Sequence, residues 1–238
     1  MAYELITALI TPFKENGAVN FNKIKELIEF QYINGVNGIV ILGTTSESST
    51  LSDAEKEAII EFVVKEVQSR ICVIVGVIEN STKEALYKAK RYQELGADKL
   101  LVISPFYNKA NKIGMISHFK IIAANIDIPI ILYNVPSRTG VNIDIDVISE
   151  LRKEKNIIGI KEASKDINHI IGVSTVCDSN FSLYCGNDEL LLTFLSLNAK
   201  GVISVLSNLK PRVVNNILKM YEENPYLAFI YFKENFFL

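Results

Sequence analysis

Short apolar runs alternate with longer amphipathic segments along most of the chain. The apolar runs are rich in Ile, Val and Leu and are bounded by polar or glycine-containing stretches, as is typical of buried parallel strands. Eight of them are predicted strands: Leu5–Thr11, Gly38–Gly43, Ile71–Val77, Lys99–Ile103, Ile130–Asn134, Ile157–Lys161, Ser182–Cys185 and Gly201–Val205. The segments between them include predicted helices over Asn22–Asn34, Asp53–Ser69, Thr82–Leu95, Ile113–Asn125 and Pro211–Glu223.

This alternation predicts an α/β fold, and eight strand–helix units are the number that closes a TIM (β/α)8 barrel. A doubly wound open sheet is the alternative. It is disfavoured because neither G-x-G-x-x-G nor G-x-x-x-x-G-K-[ST] stands at a strand-to-helix turn. We predict the barrel over residues 1–224. The apolar tail, residues 225–238, is predicted to be the start of a further helical segment that folds back onto the barrel or packs against another subunit.

Composition narrows the class of protein. About half of the 238 residues are apolar (49%), and the formal net charge is only −2, so neither nucleic acid nor a membrane surface is an expected partner. The first residues, Met1 to Glu4, lack the basic region of a secretory signal, and no apolar run is long enough to cross a bilayer. Three scattered cysteines indicate neither a disulfide framework nor a metal site. A cytoplasmic protein without a metal is therefore predicted.

The strand "NIIGIK" ends in a lysine, which is unusual for so apolar a segment. Strand residues alternate faces, so Ile157, Gly159 and Lys161 should share one face while Ile158 and Ile160 share the other. If the second pair meets the helices, the lysine points into the barrel near its C-terminal mouth, where barrel enzymes place catalytic groups. The glycine should leave room for the long side chain. The alternative is a lysine that only reaches out to water from a strand end.

Other strand ends carry polar side chains as well. Thr44 and Thr45 follow the second strand, Tyr107 follows the fourth, and Tyr133 ends the fifth, with Arg138 in the loop after it. Each has a purely structural alternative: hydroxyls that satisfy a turn, a phenol with a wet hydroxyl, a loop cation. Together they place an amine, phenols, hydroxyls and a guanidinium around one barrel mouth. The two histidines, His118 and His169, lie on helical segments and are predicted to be surface residues.

This set of groups suits one chemistry. A lysine shielded from water loses part of its preference for the charged form, and a neutral amine attacks a ketone to form a Schiff base. The iminium then withdraws electrons, so the neighbouring carbon becomes nucleophilic and no separate cofactor is needed. A nearby tyrosine hydroxyl can relay protons. Hydroxyls and an arginine can hold carboxylates.

The motifs "GTTSES", "SPFYN", "YNVPSRTG", "GIKEAS" and "GVISV" resemble those of the dihydrodipicolinate synthase family, from about Leu5 to about Glu223. The resemblance implies an enzyme of lysine and diaminopimelate biosynthesis that condenses pyruvate with aspartate semialdehyde. It also implies a homo-oligomer, a dimer or tetramer. N-acetylneuraminate lyase and related aldolases share the lysine and tyrosine, but differ at the second threonine and in the arginine loop.

The resemblance also implies a role for each site residue. Lys161 forms the Schiff base, while Tyr133, Thr44 and Tyr107 relay protons, the last one in the site of a neighbouring subunit. Arg138 holds the semialdehyde carboxylate. The residues implied to bind or enclose pyruvate are Thr45, Gly186 and Ile203.

Three departures from the family pattern bear on function. Ser46 replaces a glycine in "GTTSE" and is expected to crowd the turn, or to strain it if its φ is positive. A lysine-feedback site is implied at Asn80, Glu84 and Phe106, where a phenylalanine replaces the usual tyrosine, so feedback is expected to be weak. The family continues into a C-terminal helical segment that this sequence mostly lacks. An inactive barrel that only folds or binds a partner is therefore the alternative to an enzyme.

Overall fold

The predicted strands all lie in one parallel sheet that closes on itself. The structure, a computed structural model, describes residues 3–236. Its eight strands pair in chain order, and the last pairs with the first, so the predicted TIM barrel is confirmed. The strands are β1 (Glu4–Ala8), β2 (Gly38–Ile41), β3 (Cys72–Val77), β4 (Lys99–Ile103), β5 (Ile130–Asn134), β6 (Ile157–Glu162), β7 (Ser182–Cys185) and β8 (Gly201–Ser204).

Helices follow the strands on the outside of the barrel. They are α1 (Phe21–Ile33), α2 (Asp53–Val67), α3 (Thr82–Glu94), α4 (Lys112–Ala123), α5 (Pro136–Thr139), α6 (Ile145–Leu151), α7 (Ile167–Thr175), α8 (Leu191–Ser196), α9 (Pro211–Glu223) and α10 (Pro225–Asn235). Short 3-10 turns occupy Ser48–Thr50, Asp188–Leu190 and Leu206–Asn208. Helix α2 begins with a capping box in which Ser52 and Glu55 each satisfy a backbone N–H of the other.

The apolar core has two layers, because each barrel strand turns alternate residues inward and outward. The larger layer lies between the strands and the helices and includes Phe119, Phe181 and Phe194, all fully buried. The smaller layer fills the barrel and includes Ile131, Tyr133 and other side chains from seven of the eight strands. The interior is therefore packed, and the open space for chemistry is left to the mouth.

Strand β6 departs from regular alternation. Its pairing with β5 shifts by one residue, because Ile130 lies opposite Ile157 and Ile131 lies opposite Gly159. Ile157 packs in the outer layer, whereas Ile158 packs against the inner one. The predicted faces of these two isoleucines are therefore wrong, since a β-bulge inserts one extra residue. Beyond the bulge, Ile160 lies in the outer layer as predicted.

The apolar tail forms helix α10, which lies against α9. Ala228 is fully buried, Phe232 nearly so, and its ring stacks on that of Phe236 at 4.4 Å between centroids. Asn216 of α9 donates a hydrogen bond to the Tyr231 hydroxyl at 3.2 Å. The tail thus folds back onto its own chain, as one of the two expected arrangements. Phe237 and Leu238, which belong to the predicted tail, lie outside the described residues.

None of the helices within residues 3–236 combines the length and the hydrophobicity that crossing a bilayer requires. Within the same residues, no group of three or more His, Cys, Asp or Glu side chains is placed to hold a metal ion. The three cysteines are free, and burial raises the pKa of the Cys72 thiol to about 11. That thiol is therefore protonated and unreactive at neutral pH.

Candidate active site

Lys161 and Tyr133 lie directly opposite each other on β6 and β5. The lysine Nζ is 4.6 Å from the centre of the tyrosine ring. Both side chains are buried, with exposed fractions of 4% and 5%. The amine therefore lies over an aromatic face in a part of the barrel that is closed to bulk water. The structure thus brings together the two groups that sequence analysis placed at one barrel mouth.

Glycines adjust the surroundings of the lysine. A Cβ on Gly159 would lie 2.4 Å from the Ser182 carbonyl oxygen, so this glycine allows β6 and β7 to approach closely. The three atoms nearest to that Cβ all belong to Ser182 and not to the lysine side chain, for which room was predicted here. Gly186 has that role instead, because a Cβ there would lie 3.1 Å from the Lys161 Cε and 2.7 Å from the Ala163 Cβ. A substituent at residue 186 would therefore press on the amine-bearing chain.

The turn after β2 presents the two threonines. Thr44 and Thr45 are half-buried, and the Thr44 Oγ1 is buried without a hydrogen-bond partner among residues 3–236. Buried hydroxyls are normally satisfied, so an orphaned one at a barrel mouth is available to a substrate or to a water molecule. This observation agrees with a role for Thr44 in binding or proton transfer.

Ser46 stabilises this turn. Its φ is not positive; the left-handed residues nearby are Leu42 and Glu47. The Ser46 hydroxyl donates to the Leu9 carbonyl at 2.6 Å, and its own carbonyl accepts from the Thr11 hydroxyl at 2.8 Å. The expectation of a strained turn is therefore wrong, because the Ser46 side chain bonds to a buried carbonyl on the segment after β1.

Tyr107 and Arg138 are exposed, unlike the buried Lys161 and Tyr133. Tyr107 is 90% exposed and has a positive φ of 57°, in a loop where Lys109 is also left-handed. Arg138 is exposed on the short helix α5. Within residues 3–236, neither side chain hydrogen-bonds to Lys161 or Tyr133. Ile203 packs in the barrel interior together with Tyr133, below the mouth.

Two of the residues implied for lysine feedback, Asn80 and Phe106, contact or belong to the Tyr107 loop. Asn80 donates a hydrogen bond to the Asn108 side chain at 2.8 Å, and its own Oδ1 is buried without a partner in the described part of the chain. Phe106 packs against the barrel-interior layer. Glu84 is exposed in the first turn of α3. The structure thus links Asn80 to the loop that carries Tyr107, while leaving Glu84 in solvent.

Sequence analysis did not find a polar cluster behind the site. Glu162 and Asn134, which follow Lys161 and Tyr133, are fully buried and hydrogen-bond at 2.7 Å. His169 Nε2 lies 3.4 Å from the Glu162 carboxylate. The signal was present as Asn and Glu at matching positions, each one residue after a candidate catalytic group.

The prediction that both histidines are surface residues is wrong. His118 is 2% exposed, and its Nδ1 lies 2.9 Å from the Thr82 hydroxyl. Burial lowers its pKa to about 4, so it is neutral at physiological pH. The side chain of His169 is only 10% exposed. A helix can carry a polar side chain on its buried face when another element supplies a hydrogen-bond partner. The pattern of apolar residues in the helix does not reveal that partner.

A lysine buried beside a tyrosine in the mouth of a (β/α)8 barrel is the arrangement of aldolase-type lyases, which bind a carbonyl substrate through the lysine amine. Comparison with known proteins narrows this class. The chain belongs to the dihydrodipicolinate synthetase family, whose model matches residues 1–229.

Individual relatives agree with this family. The chain is 43% identical to 4-hydroxy-tetrahydrodipicolinate synthase of Acetivibrio thermocellus over 214 residues, which are 90% of this chain and 72% of that protein. The crystal structure of dihydrodipicolinate synthase from Aquifex aeolicus superposes with a TM-score of 0.91 at 42% identity, covering 95% of this chain and 77% of the other. A dihydrodipicolinate synthase variant described as the first monomeric one gives a TM-score of 0.94 at 36% identity, covering 97% and 78%.

Proposed function

We infer that the chain catalyses the 4-hydroxy-tetrahydrodipicolinate synthase reaction, in which pyruvate condenses with L-aspartate 4-semialdehyde. This is a lyase reaction of lysine and diaminopimelate biosynthesis, and it requires no separate cofactor. The observation that supports it best is the buried Lys161 amine, 4.6 Å from the centre of the Tyr133 ring. Membership of the family supports pyruvate and aspartate semialdehyde as the substrates.

Lys161 is the proposed nucleophile. Its neutral amine attacks the pyruvate ketone, and loss of water gives an imine that withdraws electrons from the adjacent methyl carbon. Loss of a proton from that carbon gives an enamine, whose carbon adds to the aldehyde of the second substrate. The centre of the Tyr133 ring lies 4.6 Å from the amine, and we assign this tyrosine the proton transfers, with Thr44 and Tyr107 as its relay partners.

The remaining site residues are proposed to bind substrate. The half-buried Thr45 holds the pyruvate carboxylate, beside the unpartnered Thr44 hydroxyl. Gly186 leaves space next to the Lys161 Cε, and Ile203 closes the pocket from below. Arg138, exposed on α5 at the rim, binds the carboxylate of the semialdehyde.

Borohydride trapping tests the nucleophile. Pyruvate and borohydride should add one reduced adduct to the wild-type chain, detected by mass, and Lys161→Ala should abolish both the adduct and turnover. Lys165→Ala is the matched control, because this lysine is four residues away with 75% of its side chain exposed. The control should keep the adduct. A substantial adduct on Lys161→Ala would identify another lysine, and no adduct on wild type would favour the inactive barrel.

We further propose that the active form is a homo-oligomer in which Tyr107 serves the site of a neighbouring subunit. Its 90% exposure on a strained loop supports this, since a relay hydroxyl needs a partner surface to be useful. Three free cysteines fit a reducing compartment, and we therefore propose a cytoplasmic location.

Mixed oligomers test the shared site. Lys161→Ala and Tyr107→Phe chains, each nearly inactive alone, should recover about a quarter of wild-type activity when refolded together, because a mixed dimer has one intact site. Light scattering gives the assembly size in the same samples. Absence of recovery from a well-formed mixed dimer would place Tyr107 outside the partner's site.

A further inference from the structure

A second residue pair stands directly behind the proposed catalytic pair. Tyr133 lies opposite Lys161 across β5 and β6, and the next residues, Asn134 and Glu162, are also opposite each other. Because strand residues alternate, the first pair faces the barrel interior and the second faces the helices. The Asn134 Nδ2 donates to the Glu162 Oε2 at 2.7 Å, and neither residue is exposed to solvent.

Further bonds tie the Glu162 carboxylate to its surroundings. Its Oε1 accepts a hydrogen bond from the Ser164 backbone N–H at 2.6 Å. Its Oε2 lies 3.4 Å from the His169 Nε2 on α7. The Asn134 amide has two hydrogens, and its closest acceptors are Glu162 at 2.7 Å and Asn142 at 3.2 Å. The Asn134 Nδ2 also lies 3.4 Å from the His169 Nε2, so a histidine that donates from Nε2 has the Glu162 carboxylate as its acceptor.

The same cluster reaches the arginine loop. The Asn134 Oδ1 accepts a hydrogen bond from the Ile143 backbone N–H at 3.0 Å. Residue 143 lies in the segment that returns from α5, the short helix with Arg138. One asparagine and one glutamate thus connect β5, β6, α7 and the loop after β5.

Loss of the hydrogen bonds in this cluster is electrostatically unfavourable. An unpaired carboxylate in the protein interior is strongly destabilising, so Glu162 must keep its donors. The hydrogen bond with Glu162 raises the pKa of His169 above its ordinary value, although burial opposes the rise. Asp166 at the start of α7 and Asp144 before α6 act in the same direction. The interactions that raise this pKa also hold the His169 imidazole against the carboxylate.

We propose that Glu162, held by Asn134 and His169, is a positioning residue that sets the distance between the Lys161 amine and the Tyr133 hydroxyl from outside the barrel. The proposal rests on the roles proposed above for those two residues. Neither Glu162 nor His169 touches the substrate. They act by fixing the carboxyl ends of β5 and β6 relative to each other, and small misplacements of reacting groups are costly in rate.

Kinetics of matched variants test this role. Glu162→Gln and His169→Ala should each lower kcat by about tenfold or more, with a much smaller change in the KM for either substrate. The reason is that the misplaced groups, the Lys161 amine and the Tyr133 hydroxyl, take part in the chemical steps. The rate of pyruvate adduct formation should fall in parallel. His169→Gln, whose amide can still donate to Glu162, should recover much of the loss. His118→Ala removes a histidine that is buried even more completely and bonds to Thr82 instead, and it should keep the wild-type kcat.

Imidazole titration supplies a readout that does not depend on activity. The chain has two histidines, so NMR resolves His118 and His169 without further labelling. The wild-type His169 should titrate above the ordinary range and return towards it in Glu162→Gln. If Glu162→Gln does not fold, the comparison of His169→Ala, His169→Gln and His118→Ala still decides.

The outcomes separate this proposal from the proposed function. Normal kcat in both Glu162→Gln and His169→Ala, with melting temperatures lowered no differently from His118→Ala, would make the cluster purely structural and overturn the proposal. An unchanged His169 titration in Glu162→Gln would also overturn it. Residual activity in Lys161→Ala would instead refute the proposed nucleophile. The expected pattern is a dead Lys161→Ala, slow cluster variants and a normal His118→Ala.

Discussion

Gly186 illustrates how an absent side chain shapes this site. A Cβ there would lie 2.7 Å from the Ala163 Cβ, 2.9 Å from the Glu162 carbonyl oxygen and 3.1 Å from the Lys161 Cε. The first two contacts involve groups fixed in place by β6 and its following turn, whereas the lysine chain is flexible. A larger residue at position 186 would therefore displace the amine before it displaced the strand.

Gly186→Ala is accordingly expected to slow adduct formation and turnover by about tenfold or more, through misplacement of the nucleophile. Gly114→Ala, where a Cβ on α4 would meet its nearest neighbours at 3.3 and 3.7 Å, is the control and should leave both rates unchanged. Stopped-flow trapping with pyruvate measures the first step directly. Equal rates in the two variants would show that Gly186 leaves the amine where it is.

At this scale the sequence predicts a residue's place when one strong rule applies. Lys161 and Tyr133 follow from strand alternation near a strand end, and the structure pairs them. Glu162 and His169 do not follow, because their partners come from different elements and only tertiary contact brings them together. The surface position predicted for His118 was wrong for the same reason, because its partner Thr82 lies on another helix.

Among the elements, the strands and the long helices were well predicted, whereas the short helices between β5 and β8 were not. Buried parallel strands form continuous apolar runs, and the predicted β4, β5 and β7 agree with the structure to the residue. Helices α5 to α8 are short, so they offer too few turns for a helical period to stand out. The bulge in β6 was missed because an extra residue in a uniformly apolar strand leaves no mark on the pattern.

Phe232 is the most buried aromatic side chain of helix α10. Phe232 is 8% exposed and stacks on Phe236, whereas Phe229 on the same helix is 52% exposed. Replacement of a buried phenylalanine by alanine costs up to about 3–5 kcal/mol, so Phe232→Ala should lower the free energy of unfolding by an amount of that order. Phe229→Ala should cost much less. Urea titration of the two variants checks this, and equal losses would mean that α10 does not pack on α9 in solution.

For the molecule as a whole, His118 makes the free energy of unfolding depend on pH in the acidic range. In the unfolded chain its ordinary pKa is 6.5, whereas burial lowers the folded value to about 4. Between these pH values the unfolded state binds more protons, so stability falls as the pH drops through this window. The loss from this histidine should reach about 2 kcal/mol near pH 4.5. His169 has a raised pKa and acts with the opposite sign, because its contribution is lost as pH rises.

Comparison with His118→Gln isolates this effect. Wild type and variant are unfolded in urea at pH 7 and pH 4.5, and the loss of stability between the two pH values should be smaller in the variant. The carboxylates and His169 contribute equally to both chains and cancel. An identical pH dependence would show that His118 is protonated in the folded chain, and that its burial is less complete than the structure indicates.

The bulge in β6 also decides which residues of this strand face the barrel interior. Ile157 faces the helices, so an unbroken alternation from it would turn Lys161 outward as well, with the amine buried against the helical shell. The extra residue at Ile158 restores the frame before the chain reaches Gly159. A strand one residue shorter at this point would need no bulge and would present the same amine to the same interior. A residue inserted or deleted on the N-terminal side of Gly159 can therefore be absorbed by a bulge without moving the amine. A single residue gained or lost between Gly159 and Lys161 would instead turn Lys161 towards the helices and Glu162 into the barrel.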